Sequence, residues 1–308
     1  MINSKKTLFY FFLILCIILN TACSSSYNQS NKTINQNSKV KDVSQVNESK
    51  QEETEIKVEE LEIKVEEQVI LEQGDIIITL KSLQLDGMFG TALKVLVENN
   101  SQNSITVQIR DSSINGVIVD TLFSCEVGSN KKANDEIIFS RTDIEQAGID
   151  IIKDFEFRFH VFDSQTWDGI FDSEIVTIET NADSSYLQKY NDSGTVVLED
   201  KGFKIVMKRV DSTKSFWGAD VHVYIENNSD TDATIQARDV SINGFMVNPI
   251  FSSEVLAGKK SYDTITFLES ELLENDIDRI DEMELSFHIF NTNGWDGIFD
   301  SPKISVTF

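Results

Sequence analysis

The chain has 308 residues, of which 40% are hydrophobic and 25% charged, a composition that fits about two folded domains. Its 51 acidic and 27 basic residues give a formal net charge of -24, which repels the phosphates of nucleic acids and anionic lipid headgroups. The charge therefore argues against nucleic acid as a partner, and any membrane association needs an anchor other than a basic patch.

The N-terminus has the pattern of a signal peptide. Lys5 and Lys6 precede an unbroken apolar run over 8–19. This run is too short to span a bilayer, which takes roughly 20 residues, and it suits the hydrophobic region of a signal peptide. We expect residues 1–22 to direct export and then to be removed.

The end of this segment resembles the lipobox of bacterial lipoproteins. Ala22 and Cys23 occupy the last two positions of that pattern, although Asn20 stands where leucine is usual. The resemblance implies that the Cys23 thiol receives a diacylglycerol, with acyl chains such as palmitate, and holds the protein to the outer face of the cell membrane. The alternative is an ordinary secreted protein that is cut after Ala22.

Residues 23–68 are predicted to form a disordered tether. They contain no aromatic residue after Tyr27 and are rich in polar residues, so they cannot bury enough apolar surface to fold. A seven-residue repeat relates 55–60 to 62–67, but its apolar residues form no coiled-coil stripe. We interpret the segment as a charged spacer, with a short helix as the alternative.

An internal duplication organises the remaining chain, at a constant offset of 128 residues. It predicts domain 1 at 69–180 and domain 2 at 197–308, joined by a polar linker at 181–196 that few contacts should cross. The repeated motifs are Glu98–Ser101 with Glu226–Ser229, Ser113–Gly116 with Ser241–Gly244, and Trp167–Ser173 with Trp295–Ser301.

The sequence pattern of both domains indicates β-structure. Phenylalanines at 155, 157 and 159 alternate with polar residues, as on a strand with one buried face. Asn-Gly at 115–116 and Asp-Gly at 168–169, like their copies, predict two-residue type I′ hairpin turns. Further strands are expected near 75–85, 91–98, 104–110, 117–124, 135–139 and 170–178.

One short helix is expected in each domain. Thr142 and Glu145 fit a capping box, and Ser270 holds the matching cap position in domain 2. About seven strands in each unit fit an immunoglobulin-like β-sandwich. The predicted fold is therefore all-β, with two tandem immunoglobulin-like domains after a disordered tether.

The repeated motifs, together with Gly-Lys-Lys at 258–260 and Phe-His-Ile-Phe at 287–290, resemble the telokin-like, immunoglobulin-like domains of unknown function in lipoproteins of Gram-positive bacteria. The resemblance covers both units and implies a sandwich fold and a cell-envelope setting. It brings no catalytic residues. Domain 1 departs from the pattern at Ser129-Asn130, where domain 2 has Ala257-Gly258, so the two turns are expected to differ.

Histidines and carboxylates offer the first candidates for a site. His160 and His288 hold equivalent positions and face away from the phenylalanines, and we favour a half-buried structural role over a ligand or metal contact. Asp168 and Asp172, like their copies Asp296 and Asp300, do not have the spacing of a calcium loop. We interpret them as residues of a turn and a strand end.

Trp167 and Trp295 could form exposed ligand platforms, although we favour packing over the end of each sandwich. Cys125 has Ser253 as its counterpart and no histidine near it in the sequence, so we interpret it as an incidental thiol rather than a nucleophile. The sequence thus predicts no catalytic, cofactor-binding or metal-binding residues and no cofactor.

The function expected from these features is non-enzymatic binding by a lipid-anchored surface protein, with an envelope protein or a wall polymer as partner. One alternative is a cell-envelope hydrolase whose site is assembled across strands. The other is a purely structural surface spacer.

Replacing the predicted lipid attachment site tests the anchor. We expect the Cys23→Ala variant to be released from the membrane fraction, because no thiol remains to carry the lipid. Fractionation of cells that express each form measures this. Membrane retention of the variant equal to that of the wild type would refute the anchor.

Overall fold

The computed structural model describes residues 62–215 and 218–308, without the side chains of 212–217. The predicted signal peptide, Cys23 and most of the tether lie outside the described residues. Among the helices that are described, none is long and apolar enough to cross a membrane.

Domain 1 consists of short antiparallel strands and one helix that is less than two turns long. Its elements are β1 (Gln68–Gln73), β2 (Ile76–Gln84), β3 (Gly90–Asn99), β4 (Ile105–Ile114), β5 (Val117–Ile118), β6 (Thr121–Leu122), β7 (Ser124–Val127), β8 (Lys131–Ser140), α1 (Arg141–Gln146), β9 (Asp154–Asp163), β10 (Gly169–Asp172) and β11 (Val176–Glu179).

Domain 2 repeats this order except for β6, in whose place an isolated bridge joins Ile250 and Thr266. Its elements are β12 (Thr195–Asp200), β13 (Phe203–Ser215), β14 (Gly218–Asn227), β15 (Ala233–Ile242), β16 (Phe245–Met246), β17 (Ser252–Val255), β18 (Lys260–Leu268), α2 (Glu269–Glu274), β19 (Glu282–Asn291), β20 (Gly297–Asp300) and β21 (Ile304–Thr307).

Two layers of sheet enclose each core. In domain 1 the sheet β1-β2-β3-β8-β6 faces the sheet built around β4 and β9, and in domain 2 the strands β12-β13-β14-β18 face the sheet built around β15 and β19. Alternate residues of each strand point inward, so Phe139 of one layer meets Phe155 of the other at 4.9 Å between ring centroids. The predicted all-β fold of two sandwich domains is confirmed.

The two predicted kinds of hairpin turn have different outcomes. Asn115 and Gly116 have φ values of 50° and 78° between β4 and β5, as a type I′ turn requires, and the copy at 243–244 matches. The Asp-Gly prediction is wrong, because Gly169 pairs with Phe162 inside β10. The residue with positive φ in that loop is Trp167, at 64°.

The predicted helix caps are also wrong. The N-cap of α1 is Ser140, whose Oγ accepts a hydrogen bond from the amide of Asp143 at 3.3 Å. The N-cap of α2 is Leu268, which makes no side-chain cap. Both caps lie earlier than Thr142 and Ser270, because β8 and β18 run directly into the helices.

The turn predicted to differ between the domains has the same form in both. Asn130 has φ 52° and Gly258 has φ 73°. Each turn is closed by a backbone hydrogen bond, from the Lys131 amide to the Gly128 carbonyl in domain 1 and from the Lys259 amide to the Leu256 carbonyl in domain 2. Asparagine tolerates the left-handed region better than other residues that carry a side chain, and it therefore replaces glycine here.

A buried asparagine secures the end of each sandwich that carries this turn. The Nδ2 atom of Asn99 donates to the carbonyls of Asn103, Val127 and Gly128 at 2.8, 2.9 and 3.1 Å, and its Oδ1 accepts from the Ser101 amide at 2.9 Å. Asn227 makes matching bonds in domain 2. The side chain thus satisfies backbone groups that would otherwise be buried without partners.

The polar linker is fastened to both domains, contrary to the expectation of few contacts. The hydroxyl of Tyr190 donates to the carbonyl of Asn115 in domain 1 at 2.9 Å. The next amide, of Asn191, donates to the hydroxyl of Tyr262 in domain 2 at 2.8 Å. In addition, β5 pairs in parallel with the start of β18, which joins strands of both domains into one sheet.

The last residues assigned to the tether pack on domain 1. The amide of Lys64 donates to Oδ1 of Asn181 at 2.7 Å, and Nδ2 of Asn181 donates to the carbonyl of Glu62 at 3.0 Å. Val65 contacts the hydrophobic core. The ordered region of domain 1 therefore starts before the predicted boundary at 69.

The buried asparagine can be tested against its own neighbour. Asn99→Ala leaves three carbonyls without their donor, so we expect a loss of about 1–3 kcal/mol in the free energy of unfolding. Asn100→Ala, at the adjacent exposed position, should change it little. Guanidinium denaturation of both variants measures the difference, and equal effects would contradict the role of Asn99.

Candidate functional site

Two of the three repeated motifs have a structural explanation. The first contains Asn99, described above. In the second, Oδ1 of Asn115 accepts from the amides of Lys153 and Asp154 at 2.8 and 3.2 Å, while its Nδ2 donates to the carbonyl of Ile151 at 2.7 Å. These bonds hold the segment that enters β9, and Asn243 makes the equivalent set.

The third motif is structural only at its serine. The Oγ of Ser173 accepts from the amide of Phe159 at 2.9 Å and donates to the carbonyl of Glu174 at 2.7 Å. Ser301 does the same to Phe287 and Pro302. The tryptophan that begins the motif has no such role in the core.

Trp167 and Trp295 lie on the surface. They are 60% and 76% exposed. One face of each indole stacks on a phenylalanine: Trp167 on Phe162 at 5.5 Å and Trp295 on Phe290 at 5.6 Å between ring centroids. The packing interpretation favoured from the sequence therefore accounts for part of each side chain, and much of each indole is exposed.

A histidine extends each stack. His160 lies 5.4 Å from Phe162, and its Nδ1 is 2.7 Å from Oδ1 of Asp172. In domain 2, His288 lies 5.3 Å from Phe290 and its Nδ1 is 2.6 Å from Oδ1 of Asp300. We call each set an aromatic row: His160, Phe162 and Trp167 in domain 1, and His288, Phe290 and Trp295 in domain 2.

The tryptophans hold an unfavourable backbone conformation. Their φ values are 64° and 61°, in the left-handed region that costs roughly 1–2 kcal/mol for residues other than glycine. A polar side chain holds the loop in place. Oδ1 of Asp163 accepts hydrogen bonds from the amides of Thr166 and Gln165 at 3.0 and 2.8 Å. These bonds hold the pKa of the Asp163 carboxyl below its usual range.

Asn291 replaces Asp163 in domain 2 and accepts from the amides of Asn293 and Gly294, both at 2.8 Å. A charged and a neutral acceptor thus build the same loop. The geometry depends on a side-chain oxygen at this position and not on its charge.

The sequence candidates Asp172 and Asp300, interpreted as the ends of strands, lie against the histidines of the rows. The histidines are half-buried, and their pairing with aspartates was not predicted from the sequence. Within 62–215 and 218–308, no group of three histidine, cysteine or acidic residues is placed to hold a metal ion. Asp168 lies in the loop, where its carbonyl accepts from the Asp163 amide at 3.0 Å.

Cys125 is buried in the core of domain 1. Burial, and then the nearby charge of Asp135, raises the pKa of its thiol to about 12. A thiol with this pKa is not ionised at neutral pH and is a poor nucleophile.

A cleft of about 600 Å³ lies between the two domains. Carboxyl groups of both domains line it, and burial raises the pKa of Asp111, Glu254 and Asp263. A carboxyl with a raised pKa stabilises the folded state at pH values below its ordinary pKa, and this contribution is lost as the pH rises through the raised value. These three carboxyls therefore stabilise the folded chain more at acid pH than at neutral pH.

The sequence analysis identified the tryptophans and histidines as candidates but did not predict that they form rows with phenylalanines. One signal for the row was present in the sequence, because His160 and Phe162 lie two residues apart on β9 and so share its outer face. The position of Trp167 depends on the loop held by Asp163 and on a bulge between Gly169 and Phe171. Neither is visible as a residue pattern.

No protein-family model matches the chain, and no curated protein matches it. Solved structures similar to it include the YadV chaperone, at 10% identity and a TM-score of 0.23 over 76% of this chain and 100% of that chain. The Salmonella enterica SafA pilin–SafB chaperone complex matches at 8% identity with a TM-score of 0.20, over 70% of this chain and 89% of that chain. A Porphyromonas gingivalis W83 protein of unknown function matches at 11% identity with a TM-score of 0.19, over 71% of this chain and 91% of that chain. None of these similarities supports a functional assignment.

The burial of Cys125 makes a chemical prediction. In the Cys23→Ala mature chain, residues 23–308, Cys125 is the remaining cysteine. We expect a thiol reagent to modify it far more slowly at neutral pH in the native protein than in guanidinium. With a reagent that releases a chromophore when it reacts with a thiol, absorbance measures the rate. Rapid modification of Cys125 in the native protein would place the thiol at the surface instead.

Proposed function

We propose that the protein is a non-enzymatic binding protein of the cell envelope, anchored by lipid on Cys23, and that the two aromatic rows contact its ligand. The observation that carries this proposal is the pair of exposed tryptophans in a costly backbone conformation. The repeated residues Asn99, Asn115 and Ser173 support the fold, whereas these two indoles present surface to the solvent in both domains.

The chemistry of the rows favours a saccharide. An indole offers a flat apolar face against which the C–H face of a sugar ring can stack. Asp168, next to Trp167, is a hydrogen-bond acceptor when ionised and suits sugar hydroxyls. A repeating wall polymer would also allow both domains to bind one chain, which increases affinity without a new contact.

A hydrolase is the second candidate, and the His160–Asp172 pair is the observation that favours it. An imidazole oriented by a carboxylate is one half of a nucleophile–base arrangement. The exposed tryptophans have no necessary part in that chemistry, so we rank binding first. The spacer alternative gives the tryptophans no role at all.

Binding is tested by removing the indoles. In the Cys23→Ala mature chain, Trp167→Ala and Trp295→Ala should each weaken co-sedimentation with purified wall polymer, and the double variant should lose tenfold or more in affinity. Phe89→Ala, an exposed aromatic outside the rows, serves as control. Circular dichroism checks that the variants fold.

Several outcomes separate the candidates. Unchanged binding by the double variant would refute the role of the rows. Binding that survives glycan digestion but not protease treatment of the wall sample would identify a protein partner. Release of soluble sugar by the wild type, abolished in His160→Ala, would favour the hydrolase.

A further inference from the structure

The junction between the two domains is a small set of specific contacts. The amide of Lys260 donates to the carbonyl of Gly116 at 3.0 Å, where Val117 pairs with Lys260. The ammonium of Lys259 forms an ion pair with Glu156. The tip of one hairpin, from domain 1, thus meets the start of one strand, from domain 2.

The same residue types recur at the corresponding surface of each domain. At the offset of 128, Lys259 and Lys260 correspond to Lys131 and Lys132, which begin β8 and are both exposed. Gly116 and Glu156 correspond to Gly244 and Glu284. In the part of the chain that the structure describes, domain 1 therefore carries an unused copy of the domain 2 side of the junction, and domain 2 an unused copy of the domain 1 side.

The unused hairpin tip exposes apolar side chains whose counterparts at the engaged tip are buried or packed. Val117 is 1% exposed in the core of domain 1, and Ile118 packs against the core of domain 2. Their counterparts Phe245 and Met246 are 48% and 66% exposed. Exposing large apolar side chains to water at a hairpin tip is unfavourable. Phe245 and Met246 occupy the positions by which the engaged tip contacts the neighbouring domain.

The charges of the two surfaces are complementary. Glu284 bonds to Lys303 at 2.6 Å and remains partly exposed, so one of its oxygens can accept from a further ammonium. Lys131 is exposed, and Lys132 contacts Glu98. The Lys131–Glu284 pair in trans would repeat the Lys259–Glu156 pair within the chain.

We propose that the hairpin tip Gly244–Met246 of one molecule docks on the start of β8, at Lys131 and Lys132, in a second copy of this chain. The contact repeats the internal junction between molecules. Because the two surfaces differ and lie on different domains, the association is head-to-tail and open, and it builds rows of molecules rather than closed dimers.

Two differences make the contact between molecules weaker than the internal one. Glu284 is already paired with Lys303, where domain 1 has Ile175. Asn134 stands where domain 2 has Tyr262, whose hydroxyl accepts from the linker amide of Asn191. The internal junction is also stabilised because the linker joins the two domains covalently, which keeps each domain at a high effective concentration near the other. Association is therefore concentration-dependent, and salt weakens it because it relies on an exposed ion pair.

Two blocking variants test the proposal in the Cys23→Ala mature chain. Met246→Asp together with Phe245→Asp blocks the tip, and Lys131→Glu blocks the strand surface. We expect the parent chain to grow in sedimentation velocity as its concentration rises, and each blocked chain to stay monomeric. A mixture of the two blocked chains should form a 1:1 dimer, because one retains the strand surface and the other retains the tip.

Matched variants separate this contact from general effects. Phe89→Asp and Lys189→Glu make the same kinds of change at other exposed positions and should leave association unchanged. Adding Glu284→Lys to Lys131→Glu should restore association. A parent chain that stays monomeric, blocked chains that still self-associate, or a mixture that forms no dimer would each overturn the proposal.

Discussion

The alternation of buried and exposed residues along β9 is the constraint on which the molecule depends. Phe155, Phe157 and Phe159 are fully buried between the sheets, which forces the residues between them to the outer face. That outer face carries His160 of the aromatic row. It also carries Glu156, which receives Lys259 of domain 2. One strand thus positions both the candidate site and the junction, and β19 repeats it in domain 2.

The sequence allowed most of the fold to be predicted where the signal is local or periodic. The strands around 155–161 follow from alternation, and the turn at 115–116 follows from the conformational preferences of asparagine and glycine. The helix caps and the Asp-Gly turn could not be predicted this way. In the second case Asp163 closes the loop earlier and moves the positive φ to Trp167, so a side-chain hydrogen bond outweighs the local preference.

The linker shows why composition alone misleads. Its residues are polar, which predicts a solvated and mobile connection. Yet the hydroxyl of Tyr190 reaches a backbone carbonyl, and its ring lies 4.4 Å from the ammonium of Lys260. Such contacts depend on which groups the fold brings opposite the linker. A polar segment that finds partners on both sides becomes part of the interface.

The cost of the tryptophan conformation bears on the choice between a spacer and a binding protein. Two left-handed tryptophans at roughly 1–2 kcal/mol each are a noticeable fraction of a typical domain stability of about 5–15 kcal/mol. Stacking on Phe162 and Phe290 offsets part of this, since aromatic pairs contribute about 0.5–1.5 kcal/mol beyond their burial. Glycine at 167 and 295 would close the same loops without strain. Glycine would lose this stacking, which accounts for part of each indole in any function. The exposed remainder of each indole is what the proposed ligand contact would use.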